Sequence, residues 1–309
     1  MADLKPLYTL FSAAGQTPPA IPQDAHLVAY GHTIASIKSV PGFRIDVHTE
    51  ADSLIAEIVV ARGLRNSQPV HLCFGLYEQF GVQNVQLKFT LEPEAELTLL
   101  SHCLFATPLA ARHAMQGDIR IMTGATLRYQ EAHYHGSSGE IEVVPHATVV
   151  VEQGARYLAD FSLVQGRVGH LDVDYTVDVG DDGVAELTSK VYGFGTDRIR
   201  LLERVRLNGK GARGMVKTRM ALKDDARAEV LGIMEGNAAG ARGHVDCMEI
   251  VRDRALASAI PEVRVSHPLA KVTHEAAIGS VDSQQLETLM ARGLRPDAAV
   301  DVIVRGMLR

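Results

Sequence analysis

Along Leu171–Val179 (LDVDYTVDV) apolar side chains fall at every second position, the period of a strand with one buried face. Thr148–Glu152 (TVVVE) gathers β-branched residues that suit a pleated surface. Between such segments the same corner recurs: Leu91–Ala95 (LEPEA), Ile121–Ala125 (IMTGA), Val151–Ala155 (VEQGA), then turns at Gly183, Gly211-Ala212 and Gly240-Ala241. From Glu94 through Gly124, Gly154, Gly183 and Gly211 to Gly240 the steps are 30, 30, 29, 28 and 29 residues. Further turn signals near Gly166/Gly169, Gly193/Gly195 and Asp224/Asp225 fall inside the repeats. Each unit therefore reads strand, corner, strand, corner. A β-sandwich, the main rival, also alternates, but only a coil that returns above itself has reason to hold a constant period. The expected fold is mainly β: a right-handed β-helix (β-solenoid) core over residues 41–262, after a lead-in segment over 1–40.

Past Pro261–Val265 the strand alternation stops and a helical period begins, so residues 263–309 are expected to form a small C-terminal α-helical module. Asp282 with Gln285 three positions on makes a capping-box-like start, Leu286, Leu289 and Met290 share one face, and Gly293 stands where the helix would end. A second helix begins at Pro296-Asp297 and places Val300, Ile303, Val304 and Met307 at i, i+3, i+4, i+7. Two short helices bury little alone. They are expected to cap the end of the solenoid, to dock a partner, or both.

Composition narrows the function. With 309 residues, a net charge of −6 and no local run of Lys and Arg, the chain offers no field to concentrate on nucleic acid or anionic lipid. No window nears the apolar length that spans a bilayer. Three widely separated cysteines, Cys73, Cys103 and Cys247, argue against a disulfide framework and for a reducing compartment. With no export signal visible in Met1–Pro22, the cytoplasm is expected. Gly209–Gly214 (GKGARG) spells G-x-G-x-x-G, but Met215–Met220 reads as a strand, not as the helix whose N-terminus would meet pyrophosphate. It is read as a corner.

Among chemistry-bearing residues, His133 and His135 occupy one strand face and are read as a surface pair, since two ligands do not close a metal site. His102, Cys103 and Cys73 sit in apolar stretches and are expected in the core. A lone Cys247 would ordinarily pack as a small apolar side chain.

The segment Lys271–Gly279 (KVTHEAAIG), followed by Asp282–Leu286 (DSQQL) and Leu289–Leu294 (LMARGL), resembles the SufB/SufD family of iron-sulfur cluster assembly scaffolds. The matching signature is His274-Glu275-Ala276, then Arg292-Gly293, then Ala298-Ala299 leading to Ile303-Val304. The resemblance implies a β-helix that pairs with an identical or paralogous chain, and C-terminal helices that dock a SufC-like ABC-type ATPase through Leu286, Leu289, Met290, Val300, Ile303 and Val304. It also implies a transient iron-sulfur cluster with Cys247, His274 and Glu275 as the cluster-assembly residues. Anchored on Pro261, Val245 takes the family's cysteine position, and Cys247, two residues on, keeps the same strand face. His244 lies on the opposite face. Neighbouring strand residues point oppositely, so only one of His274 and Glu275 can line a given pocket; Glu275 is otherwise expected to pair with Arg292.

The expected function is that of a scaffold, not an enzyme. A carbohydrate-active β-helix enzyme would need aromatic platforms, and Trp is absent. The alternative is a β-solenoid interaction module that holds no cluster.

Overall fold

The structure, a computed structural model, describes residues 5–13, 25–65, 68–76 and 79–308. In chain order the elements are α1 (Lys5–Ala13), β1 (His26–Tyr30), β2 (Thr33–Lys38), β3 (Phe43–Glu50), β4 (Ser53–Val60), β5 (Val70–Gly75), β6 (Phe80–Leu91), β7 (Glu96–Phe105), β8 (Ala110–Ile121), β9 (Thr126–His135) and β10 (Ile141–Val151). They continue with β11 (Arg156–Gln165), β12 (Gly169–Val179), β13 (Val184–Gly193), β14 (Arg198–Leu207), β15 (Arg213–Leu222), β16 (Arg227–Gly236), β17 (Arg242–Val251), β18 (Leu256–Val265) and β19 (Lys271–Gly279), then α2 (Ser283–Ala291) and α3 (Pro296–Met307).

From β4 on, successive strands alternate between two sheets, and each pairs in parallel with the strand one coil away. This is a β-solenoid. One sheet runs β19-β17-β15-β13-β11-β9-β7-β5-β1-β2 and the other β18-β16-β14-β12-β10-β8-β6-β4-β3; only the β1/β2 and β3/β4 pairs are antiparallel. The segment before residue 41 thus supplies the first two strands of one sheet.

The corners explain the period. Glu94, Gly124, Gly154, Asp182, Gly211 and Gly240 all take positive φ, and the amide of each donates to a carbonyl one coil on, as Gly124 N does to Gln153 O at 2.9 Å and Gly154 N to Asp181 O at 2.8 Å. Stacked corners that exchange backbone hydrogen bonds must keep their spacing. Gly211, inside the G-x-G-x-x-G string, is one of them, and β15 follows it. The fourth left-handed residue is Asp182, beside the expected Gly183, and carboxylate side chains tolerate that conformation better than most.

Every second residue of the strands enters one continuous interior core of Val, Leu, Ile, Phe and Ala. Along β12 that set is Leu171, Val173, Tyr175, Val177 and Val179, all buried. A smaller cluster of Leu10, Phe11, Val28, Cys73 and Leu104 lies where α1 packs on the outer side of one sheet.

The solenoid extends past residue 265, where the sequence pattern suggested a switch to helix. β19 pairs in parallel with β17 through nine residues, Lys271–Gly279. Its alternation is hidden in sequence because no further coil covers it, so neither face demands an apolar side chain. α2 and α3 do form at the expected places. Asp282 Oδ1 accepts the Gln285 amide at 2.7 Å, and Pro296 opens α3. Their position differs from an end cap: Val304 and Leu308 pack on Ala221, with Val300, Met307 and Tyr192 around them. The helices therefore lie along the outer face of the β15-containing sheet, while β19, the end of that sheet, and β18, the end of the other, have no further strand beyond them among the described residues.

Candidate functional site

The last coil and the strand before it carry the residues named from sequence. Cys247 is inward-facing and 1% exposed, stacked between Thr218 of β15 and Ala276 of β19. Across the interior Gly232 makes room for the neighbouring Val245, whose Cγ1 a Cβ there would approach to 2.7 Å, and the Cys247 Sγ lies beyond it in ordinary contact range. Burial, with the carboxyls of Glu249 and Glu203 adding to it, pushes the thiol up to about 12. An isolated Cys247 is thus a neutral thiol.

His274 is in register with the inward-facing, fully buried Val245, and Glu275 with Asp246 on the outer side. Parallel partners in register share a face. Cys247 and His274 therefore share the inner face, on adjacent strands and two residues apart, while Glu275 points away. Strand spacing sets their Cβ atoms about 8 Å apart. His274 is exposed, since no coil lies beyond β19. Glu275 pairs with His244, not with Arg292: its Oε1 lies 3.7 Å from His244 Nε2, whose Nδ1 hydrogen-bonds Thr273 Oγ1 at 2.8 Å. Beside them the Arg219 guanidinium, 2.8 Å from Asp246 Oδ1, holds that carboxyl below its usual range.

Sequence reasoning missed Glu249. It faces inward two residues after Cys247, is 1% exposed, and neither carboxylate oxygen has a hydrogen-bond partner among the described residues. Burial raises it to about 7, with Arg219 pulling the other way. It lines a groove of about 1140 Å³ between the end of the solenoid and the helices, together with Ile278, Asp282, Leu289, Val302 and Ile303. Its signal was parity: Val245, Cys247 and Glu249 share one strand face.

The helical residues divide into two sets. Val304 is buried on Ala221 and anchors α3, so it offers nothing to a partner. Leu286, Leu289, Val300 and Ile303 are half-buried, and Met290 and Val302 are exposed. α2 buries no residue at all. Arg252 Nη2 ties the first turn of α3 to the solenoid through Asp297 at 2.7 Å.

Deeper inside lies a second polar group. His133 and His135, expected on the surface, are 1% and 3% exposed. They follow Leu127, Tyr129 and Glu131 on the inner face of β9, so parity with the apolar Leu127 was the signal. Glu131 Oε2 accepts the hydroxyls of Tyr129 at 3.0 Å and Tyr175 at 3.1 Å, and its Oε1 stands 2.8 Å from His133 Nε2. Cys103, fully buried, is in register with His133, and its Sγ is 3.7 Å from Nε2 of the buried His113. Burial first, then Glu131, pushes the Cys103 thiol well above its usual range. His102 points the opposite way from Cys103 and stacks on His71 beneath Phe11. Nearer the last coil Glu203 accepts Ser189 Oγ at 2.8 Å and Thr218 Oγ1 at 3.4 Å, and burial lifts it to about 7.

Chemically, the end of the stack offers an open imidazole on β19 and, one strand in, a buried thiol and a buried carboxyl, a donor set that suits iron and sulfide. Among the described residues no helix is long and apolar enough to cross a membrane.

Comparison with known proteins identifies the family to which this fold belongs. Residues 77–307 match the family described as "SUF system FeS cluster assembly, SufBD core domain". The chain is 38% identical over 275 residues, 89% of its own length and 87% of the relative's, to an "Iron-sulfur cluster assembly SufBD family protein" of Methanocaldococcus jannaschii. It is 31% identical over 284 residues, 92% of its length and 86% of the relative's, to a protein of that description from Pyrococcus horikoshii. With one from Archaeoglobus fulgidus the identity is 25% over 273 residues, 88% and 67% of the two chains. The β-solenoid and the match over three quarters of its length place this chain in the SufBD family of iron-sulfur cluster assembly proteins.

Proposed function

We propose that the chain is a non-enzymatic scaffold on which a nascent, transient iron-sulfur cluster is built at the last coil and handed on, driven by a SufC-like ABC-type ATPase. The observation that carries this reading is the shared inner face of Cys247 and His274, with His274 open to solvent at an end strand. As thiolate, Cys247 ligates iron or takes the outer sulfur of a donor persulfide, whose own thiol leaves; His274 ligates from the edge, and Glu249 supplies a carboxyl within the same inner face. Glu275, turned outward to His244, orients the edge strand and does not ligate alongside Cys247.

Two surfaces support partners. Leu256, Ile260, Val265, Leu269 and Ile278 are large, exposed and concentrated in the last coil. Apolar side chains on two uncovered strands fit a second SufBD-type chain, identical or paralogous, whose end strands would cover them and bring further ligands to His274. The helix surface around the exposed Met290 and Val302, with the half-buried Leu289 and Ile303 at its edge, is the docking face for the ATPase. Both partners and this chain act in the cytoplasm.

The test is anaerobic reconstitution of the chain with ferrous iron and sulfide in the presence of a SufC-like ATPase. Wild type develops sulfide-to-iron charge-transfer absorption, and Cys247→Ala and His274→Ala each reduce it. Unchanged absorption in both variants removes the site assignment. No absorption in wild type, with the ATPase still bound, favours the interaction module without a cluster.

A further inference from the structure

The polar group buried in the middle of the solenoid is unexplained by packing. Its side chains come from both sheets: Cys103 on β7 and Glu131 and His133 on β9 face His113 on β8 across the interior. One ligating atom each from Cys103, Glu131 and His133 lies within 4.8 Å of the others. All four residues are 2% exposed or less, and Nδ1 of both His113 and His133 has no hydrogen-bond partner among the described residues. Leaving a buried polar atom unpaired costs about 1–3 kcal/mol. An apolar coil has no reason to collect several such atoms at one level.

We propose that Cys103, Glu131, His133 and His113 form a binding site for a single divalent first-row transition metal, ferrous iron or zinc, distinct from the last-coil site. The donor set is a thiolate, two imidazoles and a carboxylate, the mixture that iron and zinc accept. Tetrahedral ligation with metal–sulfur near 2.3 Å and metal–nitrogen near 2.0 Å sets sulfur and nitrogen about 3.5 Å apart, close to the 3.7 Å between Cys103 Sγ and His113 Nε2. An outer shell is already in place. The hydroxyls of Tyr129 and Tyr175 occupy Glu131 Oε2 and leave Oε1 turned to His133, the arrangement by which second-shell groups orient a ligating carboxylate. Phe105 at 5.1 Å from the His113 ring and Phe161 at 5.1 Å from the His133 ring keep the site dry. On binding, the Cys103 thiol loses its proton to solvent and the thiolate bonds the metal, with no change of oxidation state. Because the site is sealed, the ion enters as the coils form.

Cobalt(II) tests this, since its thiolate complexes absorb in the near ultraviolet. The full chain is refolded anaerobically with cobalt(II), and also incubated with it when folded, and folding is verified by circular dichroism. Wild type binds one cobalt per chain with a thiolate charge-transfer band. Cys103→Ser loses the band, Glu131→Gln weakens binding at least tenfold, and Cys73→Ala, at a cysteine packed beneath α1, keeps both band and stoichiometry. A wild type that takes up no cobalt by either route overturns the proposal, as does a band that survives in Cys103→Ser and Glu131→Gln. Loss of the band in Cys247→Ala alone assigns the metal to the last coil and also overturns it.

Discussion

Cys247 and His274 stand on adjacent strands of one sheet and on the same face, two residues out of register, because His274 pairs with Val245 and Cys247 with Ala276. The imidazole is open and the thiol closed. Burial sets the thiols of Cys73 and Cys247 at about 12 and raises that of Cys103 well above its usual range, so thiolate is scarce at neutral pH. In the folded chain fewer than one of the three cysteines should react with a disulfide reagent within minutes, and all three in denaturant. Rapid labelling of Cys247 in the folded chain would contradict this burial.

Glu203 ties pH to stability. Its ordinary value of 4.5 is raised to about 7 in the fold, chiefly by burial. Between those values the folded chain keeps a proton that the unfolded chain has released. Its contribution is therefore complete below pH 4.5 and is lost as pH rises through about 7. The gap corresponds to about 3 kcal/mol at most. Glu203→Gln cannot ionise, so its stability relative to wild type should climb by up to about 3 kcal/mol from pH 4.5 to about pH 8, read from urea unfolding. A pH-independent difference refutes the assignment.

The helices separate anchoring from docking. Val304→Glu buries a charge against Ala221 and should lower Tm. Met290→Glu changes an exposed residue of α2, so Tm should hold while affinity for the proposed ATPase falls by at least about tenfold. Asp282→Ala removes a cap worth about 1 kcal/mol and should speed amide exchange in α2 alone. Equal loss of Tm in Met290→Glu and Val304→Glu would show that this face of α2 is structural.

The coils were legible because stacking imposes a period on corners, and the corners from Glu94 to Gly240 take the left-handed φ that the turn residues announced, with Asp182 in place of Gly183. β19 was not, because an end strand has no covered face to impose alternation. The two helices were legible from Asp282 and Pro296, but not their seat, since Ala221 on an outer sheet face gives no signal in sequence. Of the site, the resemblance supplied Cys247, His274 and Glu275, and strand parity already said that His274 and Glu275 part company. The inner polar group was hidden by treating His133 and His135 as a pair by themselves; their parity with Leu127, Tyr129 and Glu131 carried the answer.

The most direct measurement is transfer. The reconstituted chain, with the proposed SufC-like ATPase and ATP, is mixed anaerobically with an apo iron-sulfur enzyme whose activity returns only with a cluster. Wild type should restore activity in an ATP-dependent way and Cys247→Ala should not; equal restoration by Cys247→Ala, or none by wild type carrying a visible cluster, would contradict assembly at the last coil.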